Sequence, residues 1–117
     1  MSDAPAPTTV VIESTGSTVI ARVQPKLLDD KELKLLSQAI DQAAGGDGIT
    51  LVVLDMSKVH FVPSLGLGVL IQMMAKCKSR QQRMKLACVL PSLRQVFSIT
   101  RLDRVLELTD TVETALE

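Results

Sequence analysis

At 117 residues, with thirteen basic and thirteen acidic side chains that cancel, the chain has room for one domain with a real core and no general attraction to phosphate backbones or anionic lipid. No apolar run approaches the ~20 residues needed to cross a bilayer, and the start, MSDAPAPTT, lacks the charged and apolar regions of a secretory signal. The reading is a cytoplasmic protein without membrane insertion, a disordered tail over 1–7, a single domain over 8–117, and Cys77 and Cys88 as free thiols.

Thr8–Glu13 and Thr18–Gln24 are β-branched runs separated by Ser14–Ser17, which contains Gly16 and predicts a hairpin. Pro25 closes the second strand. Asp29 or Asp30 caps a helix from about Lys31 to Ala44, with Leu33, Leu36, Ile40 and Ala43 on its apolar face, and Gly45–Gly48 stops it. Thr50–Leu54 lacks polar alternation and reads as a strand buried on both faces. Asp55 and Ser57 end that strand. Pro63 biases Val62 towards an extended conformation, so a helix starts at or after Pro63, with Ser64 in its cap region.

The helix from Leu65 to about Arg80 carries two apolar stripes. Leu67, Leu70, Ile71, Met74 and Cys77 form one buried face, while Leu65, Val69 and Met73 lie opposite, where a solvated helix would carry charge. The second stripe is either covered by the fold or offered to a partner, a second copy of the chain included. Met84–Leu90 is a further buried strand. Pro91 and Ser92 open a helix through about Thr100, with Leu93, Val96, Phe97 and Leu102 inward; Val105–Leu108 is a short strand. Thr109–Thr111 caps a last helix that buries Val112, Ala115 and Leu116. The order β-β-α-β-α-β-α-β-α implies an α/β fold: a mixed, mostly parallel sheet of about five strands with an antiparallel edge, packed with about four helices.

Several chemistries are excluded. A hydrolase nucleophile elbow needs glycine two residues before Ser64, where Val62 stands, and His60, the only histidine, is too close in sequence to fold back as a base. In a dinucleotide loop Gly66 and Gly68 would precede the helix and position 71 would be small; it is Ile71. No cysteine, histidine and carboxylate set has metal-ligand spacing, and the basic residues Lys76, Lys78, Arg80, Arg83 and Lys85 compensate a helix end without the aromatics of a nucleic-acid platform. No catalytic residue, metal or cofactor follows.

The element order and the stretch DMSKVHFVPSLGLGVL together resemble the STAS domain of bacterial anti-sigma factor antagonists. Asp55, Ser57, Val59, Phe61, Ser64, Gly66, Leu67 and Gly68 occupy the positions of that family's pattern, and LPSLRQVFSITRLDRVLEL is similar to its later segment. The resemblance implies a non-enzymatic protein that binds an anti-sigma factor with serine kinase activity, frees a sigma factor, and is switched off by phosphorylation at Ser64. It implies a contact surface of Pro63, Ser64, Leu65, Gly66, Val69 and Met73. Two positions depart from the pattern: Pro63 stands where the family has aspartate, and Leu65 where it has a small or hydroxylated residue. They favour the alternative, a constitutive STAS scaffold or subunit of a signalling or lipid-transport complex that is not phosphorylated.

Overall fold

A computed structural model describes residues 9–46 and 48–117, so the tail expected over 1–7 lies outside the described residues. Every expected element forms, in the expected order: β1 (Val10–Thr15), β2 (Thr18–Val23), α1 (Asp30–Ala44), β3 (Leu51–Asp55), α2 (Ser64–Ser79), β4 (Arg83–Ala87), α3 (Pro91–Ile99), β5 (Glu107–Thr109) and α4 (Val112–Ala115), with a 3-10 turn over Leu102–Arg104. The hairpin turns at Gly16 and Ser17, where Gly16 supplies a φ of +58° that a side chain would resist. Asp29 accepts from the N–H of Glu32 at 2.9 Å and fixes the start of α1.

The five strands lie side by side in chain order, β1-β2-β3-β4-β5, with β1 antiparallel to β2 and the remaining pairs parallel. Right-handed crossovers that all step the same way put α1, α2 and α3 on one face. There Leu33, Leu36 and Ile40 of α1, Leu70, Met74 and Cys77 of α2, and Leu93 and Phe97 of α3 close over Val19, Ala21, Val52, Leu54 and Leu86 of the sheet. The other face is covered by α4, whose Val112 and Ala115 pack on Ile20, Val53 and Ala87. Lys85, 5% exposed in the middle of β4, reaches under α4 and donates to the carbonyl of Ala115 at 3.0 Å. A cation at the carbonyl end of a helix is favourably placed.

The last third departs from expectation in detail. β4 ends at Ala87 instead of Leu90, because Cys88 takes a left-handed φ of +61° and breaks the ladder. Arg101, also left-handed at +62°, starts the 3-10 turn that delays β5 to Glu107. Val96 and Leu116, expected inward, stand exposed. Among the described residues no helix is long and apolar enough to cross a membrane.

Candidate functional site

The site is built where β3 hands the chain to α2. At the strand end Asp55 is buried, and its two carboxylate oxygens are divided: one accepts from the N–H of Ser57 at 3.0 Å, the other from the Arg22 guanidinium at 2.9 Å. Arg22 is also held by Glu13, so one guanidinium joins three strands, and its pKa is raised, by Glu13 first and then by Asp55.

Beyond Asp55 the connection 56–62 is stitched to the loop after β2. The carbonyl of Lys26 accepts from both His60 (2.8 Å) and Phe61 (3.1 Å), the carbonyl of Phe61 accepts from Leu28 (3.0 Å), and the ammonium of Lys58 donates to the side chain of Gln24 (2.8 Å). Met56, Val59 and Val62 anchor this loop from below as buried side chains. The ring of Phe61 is thereby held outward, 59% exposed.

Pro63 ends the loop with φ −60° and ψ 157°, and its carbonyl accepts from Gly66 and Leu67 to open α2. Ser64 is thus the first helical residue, not the cap. It is exposed, its hydroxyl makes no hydrogen bond among the described residues, and the first turn of α2 carries no acidic side chain. Leu65 follows at 78% exposed.

The structure divides the expected contact set. Pro63, Ser64, Leu65 and Val69 reach the surface, Val69 half-buried in a groove of about 390 Å³ between α1 and α2. Gly66 and Met73 do not. Met73 is 3% exposed, and a Cβ on Gly66 would come within 2.5 Å of the Leu33 side chain and 2.8 Å of Val62. Gly66 lets α1 and α2 close on one another and turns Met73 into the core, so the buried stripe runs through Gly66, Leu70, Met73 and Cys77. Two contributors escaped the sequence reading. Phe61 and Val96 face a second groove, of about 350 Å³, between the start of α2 and α3, with Ser64, Leu67, Leu93 and Thr100 on its walls. An aromatic residue on a polar connection was the available signal for Phe61.

His60 is exposed beside Ser64, but among the described residues it is held only through its backbone N–H, with no carboxylate orienting the ring. Among the described residues no three histidine, cysteine or carboxylate side chains come together to hold a metal. What the arrangement offers is a fixed apolar surface with an accessible hydroxyl at its centre.

The STAS domain model matches residues 9–115. The chain belongs to the STAS-domain family. Among solved structures, an anti-sigma factor antagonist from Mycobacterium paratuberculosis is 26% identical, with a TM-score of 0.79 over 97% of this chain and 94% of that one. An anti-sigma-factor antagonist (STAS) domain protein from Planctomyces limnophilus is 21% identical, TM-score 0.79, over 95% and 97%. The Bacillus cell fate determinant SpoIIAA in its phosphorylated form is 23% identical, TM-score 0.68, over 92% and 96%. The five-stranded mixed sheet with four helices is the STAS fold.

Proposed function

We propose that this STAS domain, spanning 8–117 and working in the cytoplasm, is a non-catalytic anti-sigma factor antagonist. It docks an anti-sigma factor with serine kinase activity through Phe61, Pro63, Ser64, Leu65 and Val69, releases a sigma factor, and lets go when Ser64 is phosphorylated. One observation carries the reading: an exposed serine hydroxyl, unbonded among the described residues, sits at the start of a helix between two outward apolar side chains, Phe61 and Leu65. The names of the similar proteins, antagonists and a phosphorylated SpoIIAA, agree with it.

Burying Leu65 alone against a partner is worth about 2 kcal/mol. A phosphate on Ser64 brings about −1.5 to −2 charges, which the free N–H groups of α2 tolerate while the protein is alone. Against an apolar partner that charge is stripped of water without a counter-ion, at a cost of several kcal/mol. Fold therefore survives and binding fails.

Pro63 favours a second reading, since it supplies no carboxylate beside the acceptor hydroxyl. In that reading the domain is a constitutive subunit of a signalling or lipid-transport complex. The experiment is a pull-down from native extract with ATP, comparing the parent with Ser64→Ala and Ser64→Glu. Capture of an ATP-binding kinase by the parent and Ser64→Ala, with at least a tenfold loss (about 1.4 kcal/mol) for Ser64→Glu, supports the switch. Equal capture by all three refutes it in favour of the constitutive subunit.

A further inference from the structure

The edge strand β1 has six residues, and its outer side is uncovered among the described residues. Among the described residues the usual protections of such an edge are missing. It has no proline, no lysine and no bulge in its register, and its only charge, Glu13, is held by Arg22 on the next strand. The opposite edge, β5, offers only three residues.

The hairpin register says which backbone groups are free. Gln24 N–H donates to the carbonyl of Thr9 at 2.9 Å, so Thr9 and Gln24 are a hydrogen-bonded pair. Alternation then turns the groups of Val11, Glu13 and Thr15 inward to β2, and those of Val10, Ile12 and Ser14 outward.

We infer that β1 pairs with β1 of a second copy of this chain, antiparallel about a two-fold axis at Ile12, joining two sheets into one. This register alone engages all three outward residues: Val10 faces Ser14, Ile12 faces its own equivalent, and each pair exchanges two backbone hydrogen bonds. Moving the axis to Glu13 sets two carboxylates opposite each other. Moving it to Val11 pairs only Val10 with Ile12 among the outward residues of β1, and a slip by one residue reverses the faces. Apolar cover also fits: the register sets the copy's Glu13, through its methylene stem, beside Val11, which is otherwise 45% exposed.

The test is sedimentation equilibrium combined with amide hydrogen exchange. Ser14 is exposed and its N–H points outward, so Ser14→Pro removes no bond of the hairpin while blocking the pairing. The parent is expected at twice the 12.7 kDa chain mass, and Ser14→Pro, with unchanged circular dichroism, at the single mass. In the parent the amides of Val10, Ile12 and Ser14 exchange slowly. In the variant those of Val10 and Ile12 exchange at least tenfold faster, with Val11, Glu13 and Thr15 unchanged. A parent that stays at the single mass at every concentration overturns the inference, as does a folded Ser14→Pro that keeps the double mass. Should Ser14→Pro lose its fold, the parent's exchange pattern decides: fast exchange at Val10, Ile12 and Ser14 in a double-mass species places the interface elsewhere and overturns it too.

Discussion

Gly66 and Gly68 lie two residues apart on α2, yet the fold needs only the first. Alanine in a helix interior is favoured over glycine by about 1 kcal/mol. At Gly68 a Cβ meets nothing within 4 Å, so Gly68→Ala should realise that gain in full. At Gly66 the Cβ would press to 2.5 Å from a Leu33 side chain that is only 1% exposed, and to 2.8 Å from buried Val62. Overpacking of this kind costs about 1–3 kcal/mol, so Gly66→Ala should lose roughly 0–2 kcal/mol net. The two variants should therefore differ by about 1–3 kcal/mol, on the order of 10 °C in Tm for a domain of this size. With no tryptophan or tyrosine in the chain, the unfolding is best followed by far-ultraviolet circular dichroism in urea. Equal stability of the two variants, or a Gly66→Ala more stable than Gly68→Ala, would refute the assignment of Gly66 to the α1–α2 contact.

The remaining predictions concern titration and thiols. Asp41 bonds Arg80 (2.8 Å) and Lys76 (3.2 Å), and these hold its carboxyl below the usual carboxylate range, Arg80 most. A depressed folded pKa gives stability that is present above the unfolded value and lost as pH falls below about 4. The pair is partly exposed, so Asp41→Asn should cost less than about 1 kcal/mol at neutral pH and flatten the acid limb of the stability curve; an unchanged acid limb would contradict this. Burial pushes both thiols up, with the Asp55 carboxylate adding to the shift at Cys88. A disulfide reagent at neutral pH should label the half-exposed Cys88 slowly and the buried Cys77 only on unfolding. Rapid labelling of Cys77 in the native protein would show that α2 opens.

The sequence was most informative where one periodicity competes with nothing else. Asp29 before Leu33, Leu36 and Ile40 marks a capped amphipathic helix, and the unbroken run ahead of Asp55 marks a strand with both faces covered; both are local signals. α2 was ambiguous because it is apolar nearly all round before Lys76, so two stripes fitted equally well. The choice between them rests on Gly66 meeting Leu33, a contact between residues far apart in the chain that no window of α2 contains. Met73 was misplaced for that reason. Ser64 was read as lying in the cap region, whereas Pro63 takes the cap and Ser64 the first helical position, and the groove facing Phe61 requires α3 to lie beside the start of α2. The early end of β4 and the shift of β5 rest on two left-handed residues, Cys88 and Arg101 respectively, which are not the glycine or asparagine that announce such a conformation.

The strand order also bears on how the protein comes into being. Because neighbours in the sheet are neighbours in the chain, each new strand adds to an edge already standing, and no strand must wait for a distant partner or be inserted between two others. Such a topology keeps loop-closure costs lower than in a parallel sheet whose strands pair out of chain order. The segment that carries Phe61, Ser64 and Leu65 is held by β2, α1, β3 and α2, all made before residue 80, and α3 later adds the far wall of the groove that Phe61 and Ser64 line. During synthesis, its scaffold can therefore begin to assemble while the strands and helices that complete the fold are still to come.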